Sequence, residues 1–185
     1  MQRDGLLLDE TRNQREFGSY PDLRSSREPD TRCQLEEQRE EFVPADFDPP
    51  VALDHEAFRL RPLDVTHNES DYAAWSASVE HIRATPGWEG GAWPDPSMSI
   101  EDNRRDLARH AQDFRERRGF TFTVLTPAED QVIGCVYIYP ADGGGAEVHS
   151  WVRADSADLD GVLYQAVRRW LEEAWPFESF VYAPR

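Results

Sequence analysis

Residues 146–152 (AEVHSWV) alternate in polarity, which predicts a strand with Glu147, His149 and Trp151 on one face and Ala146, Val148, Ser150 and Val152 on the other. A carboxylate and an imidazole two positions apart on one strand face stand within reach of each other. Such a pair can take a proton from a nucleophile, directly or through water, and an imidazole titrates nearer to neutrality than a carboxylate does. The same two residues also make an ordinary polar pair on the wet face of a sheet, and residue type plus strand face does not separate the two uses. Tyr137 and Tyr139 share a face of the preceding strand, residues 132–139 (VIGCVYIY), where they either line the same cavity or pack as core aromatics.

Other chemistries are excluded by composition. All 20 basic residues are Arg, so no Lys is present to form a Schiff base, act as a nucleophile or complete a Walker-type phosphate loop. Cys33 and Cys135 are too far apart in sequence to suggest a disulfide framework or a metal site, and His81 and His110 fall in helical segments without metal-ligand spacing. Cys135 lies in an apolar run and reads as a small core residue. With 36 acids and a net charge of −16 the chain repels nucleic-acid phosphates and attracts an amine or other cation. No stretch approaches the roughly 20 apolar residues of a membrane span. The Leu run at 6–8 is far shorter than a signal-peptide core of about 7–15 residues. A cytoplasmic protein with no membrane or nucleic-acid partner and no metal is expected.

The elements that must position these residues begin after an unusual first segment. Residues 1–50 carry 13 acids and 7 Arg with almost no apolar period, too little to offset chain entropy. They are expected to form a mobile, poorly ordered arm that ends at Val43-Pro44 and Asp48-Pro49-Pro50. Residues 51–185 form the expected domain. Residues 57–63 (AFRLRPL) alternate as a strand. Tyr72, Trp75, Val79 and Ile82 mark one helix face, capped by Ser70 or Asp71. A Gly/Pro loop over 87–96 carries Trp88 and Trp93. A second helix starts at Ser99, with Asp102 three residues on in the manner of a capping box, and ends in Arg117-Arg118-Gly119 with the glycine as C-terminal cap. Its arginines, among them Arg104, Arg105 and Arg109, read as a solvated face. Strands over 120–125, 132–139 and 146–152 follow, then a helix marked by Leu159, Leu163, Ala166, Trp170 and Ala174, and a last strand over 178–182. A strand, helix and strand in that order make a crossover with parallel strands.

This order over residues 57–182 resembles the GNAT superfamily of N-acetyltransferases. The opening strand Phe58-Arg59-Leu60-Arg61-Pro62-Leu63 and the run Ile133-Gly134-Cys135-Val136 are similar to the family's first strand and to its glycine-bearing central strand. The resemblance implies an α/β fold, a mixed central sheet flanked by helices. It implies acetyl-CoA as acyl donor and an amine as acceptor, on a small molecule or a peptide. In that family the strand matching 147–152 parts from its neighbour, its free backbone binds pantetheine, and the following loop and helix N-terminus bind pyrophosphate through their amides. Trp151, Val152, Arg153 and Gly161 are the matching cofactor positions here.

The resemblance further implies that Glu147 acts as the base, with His149 beside it, and that Trp88 and Trp93 sit where the family builds its acceptor site, unless they only cap the core. The family's loop reads Gln/Arg-x-x-Gly-x-Gly/Ala. Here residues 154–161 read ADSADLDG, so Gly161 matches while Asp155, Asp158 and Asp160 place negative charge where a diphosphate would lie. The family's Tyr acid comes from a helix after the last strand matched here, which leaves Tyr164 of the crossing helix as a substitute. The alternative is a GNAT-like domain without catalysis, a binding or assembly module, whose open edge strand can pair with a second copy.

Overall fold

Six strands lie side by side in chain order in one sheet: β1 (Leu53–Asp54), β2 (Arg59–Pro62), β3 (Phe120–Leu125), β4 (Val132–Pro140), β5 (Ala146–Val152) and β6 (Phe180–Tyr182). Neighbours are antiparallel except β5 and β6, which are parallel as expected of a crossover. The structure, a computed structural model, describes residues 41–185. Three helices join β2 to β3: α1 (Asn68–Ser76), α2 (Val79–Ala84) and α3 (Ile100–Arg115). The crossover from β5 to β6 runs through a 3-10 segment, Ala154–Leu159, into α4 (Asp160–Ala174). The result is the α/β, mixed-sheet architecture expected from sequence.

The two faces of the sheet bury different material. On the α4 side Phe120, Phe122, Val136, Ile138 and Val148 pack with Leu163, Val167 and Leu171. On the other side Trp75 of α1 and Leu107 of α3 pack with Leu125, Cys135 and Trp151. Covering both faces is what makes β4 apolar throughout. Burying an apolar side chain of this size contributes about 1.5–3 kcal/mol, so these two layers are the main favourable term of the fold.

The expected arm falls mostly on residues 1–40, outside the described residues. The expected boundary at residue 50, however, sits inside packed structure. Val43 is buried, Phe42 stacks on Phe120 and Phe177 at 5.7 and 5.0 Å, and Phe47 lies 5.7 Å from Trp175. A turn closed by the Phe47 amide donating to the Pro44 carbonyl at 3.0 Å lays this segment on the core.

Helix boundaries differ instructively from the expectation. The capping box at α3 forms: Ser99 Oγ accepts from the Asp102 amide at 3.1 Å and Asp102 Oδ2 accepts from the Ser99 amide at 3.0 Å. Its other end is set by Arg117, at φ 60°, and not by Gly119. Arg117 donates to the carbonyls of Pro44 and Phe47, which hold it there. Gly119 serves a different need, since a Cβ on it would lie 2.3 Å from the Tyr139 ring. The first helix begins earlier than expected, at Asn68, behind a 3-10 turn capped by Asp64. It also breaks at Ser78, whose hydroxyl accepts from the Ala154 amide at 3.1 Å. Ser70 accepts from the Val132 amide. Asp71 is buried inside α1, where its carboxylate accepts from Asn103 Nδ2 at 3.0 Å and from the Cys135 thiol at 3.4 Å.

Burial pushes the Asp71 carboxyl up to about 6 from an ordinary 3.8. A carboxyl whose folded pKa is raised stabilises the fold below its unfolded value and loses that contribution as pH rises through the folded value. The stability of the protein minus that of Asp71→Asn should therefore fall between about pH 4 and pH 6 and stay level above, by a total on the order of 3 kcal/mol. Urea denaturation of both proteins across pH 4–8 measures it, and a pH-independent difference would contradict the assignment. Gly134 makes a second test. A Cβ there would lie 2.1 Å from the Trp151 carbonyl oxygen, so Gly134→Ala must push β4 and β5 apart. It should destabilise by about 1–3 kcal/mol, read from the urea midpoint.

Candidate active site

Glu147, His149 and Trp151 project from β5 on the side of α1 and α3, beside Tyr139, Tyr137 and Cys135 of β4, their register partners. His149 Nε2 lies 3.1 Å from Glu147 Oε1, with Glu147 about half exposed and His149 mostly covered. The two predicted residues are thus brought together, with one end of the pair open to solvent. The loop after α2 crosses over them. Gly87, at φ 90°, turns the chain so closely over His149 that a Cβ would sit 3.4 Å from its Nδ1. Trp88 then lies 5.4 Å from the His149 ring and 5.7 Å from Tyr137. Trp93 packs 4.8 Å from Trp88 and 5.9 Å from Trp151. The loop tryptophans, Tyr137 and Trp151 therefore form one aromatic wall next to His149.

The polar tips of that wall are satisfied internally. Trp151 Nε1 donates to Tyr137 OH at 3.3 Å, and burial pushes the Tyr137 hydroxyl well up. Tyr139 OH sits 2.6 Å from His110 Nδ1 and donates to Asp113, and burial raises it also. Both phenols hold their protons at neutral pH. Among the described residues no group of His, Cys, Asp and Glu is placed to hold a metal ion, and no helix is long and apolar enough to cross a membrane.

The opposite side of β5 carries residues that sequence reasoning did not single out. β6 pairs with β5 only over Ala146–Val148, and β5 runs on alone toward Val152. Beyond this parting, Ser150 Oγ lies 2.6 Å from Tyr182 OH. Burial raises the Tyr182 hydroxyl to about 12, so it too keeps its proton. Tyr164 of α4 is buried 4.8 Å from the Tyr182 ring. It belongs to this α4 side and is not brought together with Glu147 and His149.

Arg185 occupies the parting itself. Its Nη2 donates to the Ser150 carbonyl at 2.9 Å and to Ser150 Oγ at 3.1 Å, and its Nη1 to the carbonyls of Pro86 and Ala183 at 2.9 and 2.8 Å. Its Nε stands 2.7 Å from Asp160 Oδ2, and only 4% of the side chain is exposed. Trp88 Nε1 donates to the same Ser150 carbonyl at 2.8 Å. No local pattern marks Arg185, because its partners come from four separated segments. Asp160 was visible as an acidic loop position, but its role as counter-ion was not.

The cofactor positions can be tested against this geometry. Trp151 and Val152 are fully buried in the two cores. Arg153 pairs with Asp155. Gly161 stands on α4 with open space around it. Three amides of this loop are in use: Ala154 N donates to Ser78 Oγ, Ser156 N to the Arg153 carbonyl and Asp160 N to the Ala157 carbonyl. With Arg185 seated in the parting and those amides engaged, the residues present do not fit a coenzyme A thioester in this conformation.

Known proteins place the fold. The family profile described as an acetyltransferase (GNAT) domain matches residues 58–182. Among solved structures, the ribosomal-protein-S5-alanine acetyltransferase from Vibrio fischeri is similar, with a TM-score of 0.53 at 15% identity over 68% of this chain and 69% of that one. So is the microcin C7 self-immunity acetyltransferase, solved with acetyl-CoA and AMP, with a TM-score of 0.52 at 14% identity over 68% and 67%. At such identities the likeness is one of fold. No curated protein matches by sequence. The profile covers most of the described domain and spans both the parting strands and the Glu147–His149 pair, so this chain belongs to the GNAT acetyltransferase family.

Proposed function

We propose that the protein is an N-acyltransferase that moves an acetyl group from acetyl-CoA to an amine on a small molecule or a peptide. The observation that carries this is the 3.1 Å contact of His149 with Glu147, at the point where β5 leaves β6. An amine is protonated at neutral pH and attacks only after losing that proton, so a base beside the reacting position is required. The Glu147–His149 pair has the right chemistry and one solvent-facing end. The aromatic wall of Trp88, Trp93 and Tyr137 excludes water on one side of it, and the net charge of −16 favours approach of a cation over an anion. Tyr182 supplies a protonated hydroxyl at the parting, with Tyr164 behind it.

Acetyl-CoA as donor is supported by family membership and by its presence in the microcin C7 relative. The amine acceptor is supported by the names of the relatives, which include an acetyltransferase of a ribosomal-protein alanine. We infer a cytoplasmic protein, and the net charge of −16 supports a partner other than nucleic acid. The outer edge of β6, where Val181 is exposed, is a place for a second copy to pair.

A second reading has its own observation. The filled parting and the engaged loop amides favour a GNAT-like binding or assembly module without catalysis. Release of free thiol from acetyl-CoA in the presence of an amine panel separates the two. Polyamines, aminoglycosides and peptides with free N-termini make up the panel, tried with the natural protein and with Arg185→Ala. On the enzyme reading, Glu147→Gln and His149→Ala each lower turnover by about 10²-fold or more while leaving acetyl-CoA affinity within about threefold. Full activity in both variants removes this pair as the base. No transfer by either background leaves the module.

A further inference from the structure

The chemistry around Arg185 is that of a fitted receptor. A guanidinium has five N–H donors in a rigid fork, and here Nη1 and Nη2 each donate twice, to three carbonyls and one hydroxyl. The remaining N–H, on Nε, sits 2.7 Å from the Asp160 carboxylate. That contact is close without being well aligned, since Arg185 Nε completes no hydrogen bond. The guanidinium carbon lies 5.6 Å from the centre of the Tyr182 ring, within cation–π range. The partners come from the loop after α2, from β5, from the start of α4 and from the segment after β6. One side chain thus ties together the elements on both sides of the parting.

What it occupies is the unpaired edge of β5. Carbonyl groups buried there need donors, and Arg185 with Trp88 supplies them to Ser150. A ligand entering the parting must take over these backbone groups, and cannot do so while the guanidinium is seated. Resting on the proposed function, we propose that Arg185 is a removable plug: it closes the parting between β5 and β6 in the resting protein, and an acyl-CoA thioester binds only to molecules from which Arg185 has swung out. A ligand that binds only the open form has its affinity reduced by the open fraction. Four hydrogen bonds and a buried ion pair on one side chain make that fraction small. The device also gives Asp160 its role. With Arg185 seated the carboxylate is neutralised, and with Arg185 away it faces the incoming diphosphate and hinders it.

Titration calorimetry with coenzyme A and with acetyl-CoA tests this, with Trp88 emission as a second readout because its indole shares the Ser150 acceptor with Arg185. Arg185→Ala should bind at least tenfold more tightly than the natural protein. Arg185→Ala with Asp160→Asn should bind more tightly again, and it guards against a misfolded single variant because neither charge is left unpaired. Methylguanidine should refill the vacated receptor in Arg185→Ala, raising its melting temperature and weakening coenzyme A binding, and should do neither in the natural protein. Equal affinities in all three proteins with no effect of methylguanidine overturn the plug and leave the acyltransferase reading standing. Failure of all three to bind coenzyme A overturns both.

Discussion

Past Val148 the strand β5 has no neighbour on its β6 side, yet its backbone stays buried and its polar groups still require partners. Leaving a buried carbonyl unsatisfied costs about 1–3 kcal/mol, which is comparable to removing a core methyl or two. Much of the architecture around the site answers this constraint. Trp88 reaches the Ser150 carbonyl from the loop after α2. Ser78, freed by the break between α1 and α2, reaches Ala154. Arg185 closes the remaining gap. The α1–α2 break, the position of the tryptophan loop and the path of the chain after β6 are all coupled to one place where a ladder stops.

Buried side chains on the α1 and α3 side of the sheet meet the same general need for hydrogen-bond partners. β4 and β5 present Cys135, Tyr137, Tyr139 and His149 there, and β3 presents Thr121 and Thr123, which are fully buried. Cys135 and Tyr139 pair with residues of α1 and α3, Tyr137 accepts from Trp151 Nε1, and His149 stands beside Glu147. Thr121 Oγ1 lies 3.2 Å from His110 Nδ1, and Thr123 Oγ1 lies 3.0 Å from His67 Nδ1. Asp71 and Asn103 link α1 to α3 and to Cys135, and Trp75 donates to Asn103 at 2.9 Å. The α4 side, by contrast, is dominated by apolar residues. Both faces bury an apolar core, and the α1 and α3 face also carries the polar contacts that orient the helices flanking the tryptophan loop.

The sequence made the regular parts legible wherever a period or a cap is local. The alternation of β2 and β5, the unbroken apolar run of β4 and the capping box of α3 are patterns within a few residues of one another, and the structure follows them. Where the deciding partner is distant, local pattern misleads. The Tyr72-to-Ile82 stripe looked like one helix because nothing nearby signals that Ser78 is needed at Ala154. Gly119 looked like a cap because it follows a basic helix end, but the left-handed position falls to Arg117, which the early segment holds from 70 residues or more away in sequence. Of the candidate site, the Glu147–His149 pair was visible because strand alternation is short-range. Tyr182, Ser150, Asp160 and Arg185 meet only through the crossover and carry no mutual spacing.

The acidic loop shows how far a distant partner can change the meaning of a local feature. Three aspartates where the family places a neutral or basic phosphate loop look like a simple loss of anion binding. In the folded chain two of them are not free charges. Asp155 is paired with Arg153, and Asp160 with Arg185. Asp158 alone is left over, so the loop and its two arginines carry a net −1 where the loop by itself carries −3. Repulsion between an exposed carboxylate and a phosphate about 4 Å away is about 1–4 kcal/mol across the range from bulk water to a protein surface. Removing two such terms is enough to change whether an anion is tolerated. The pairing cuts the other way for entry, because the arginine that neutralises Asp160 does so from inside the parting. Charge compensation and obstruction are properties of one guanidinium. The loop's acidity and the closed parting are therefore a single feature of this chain, and neither could change alone without leaving an ion buried against an unmatched partner.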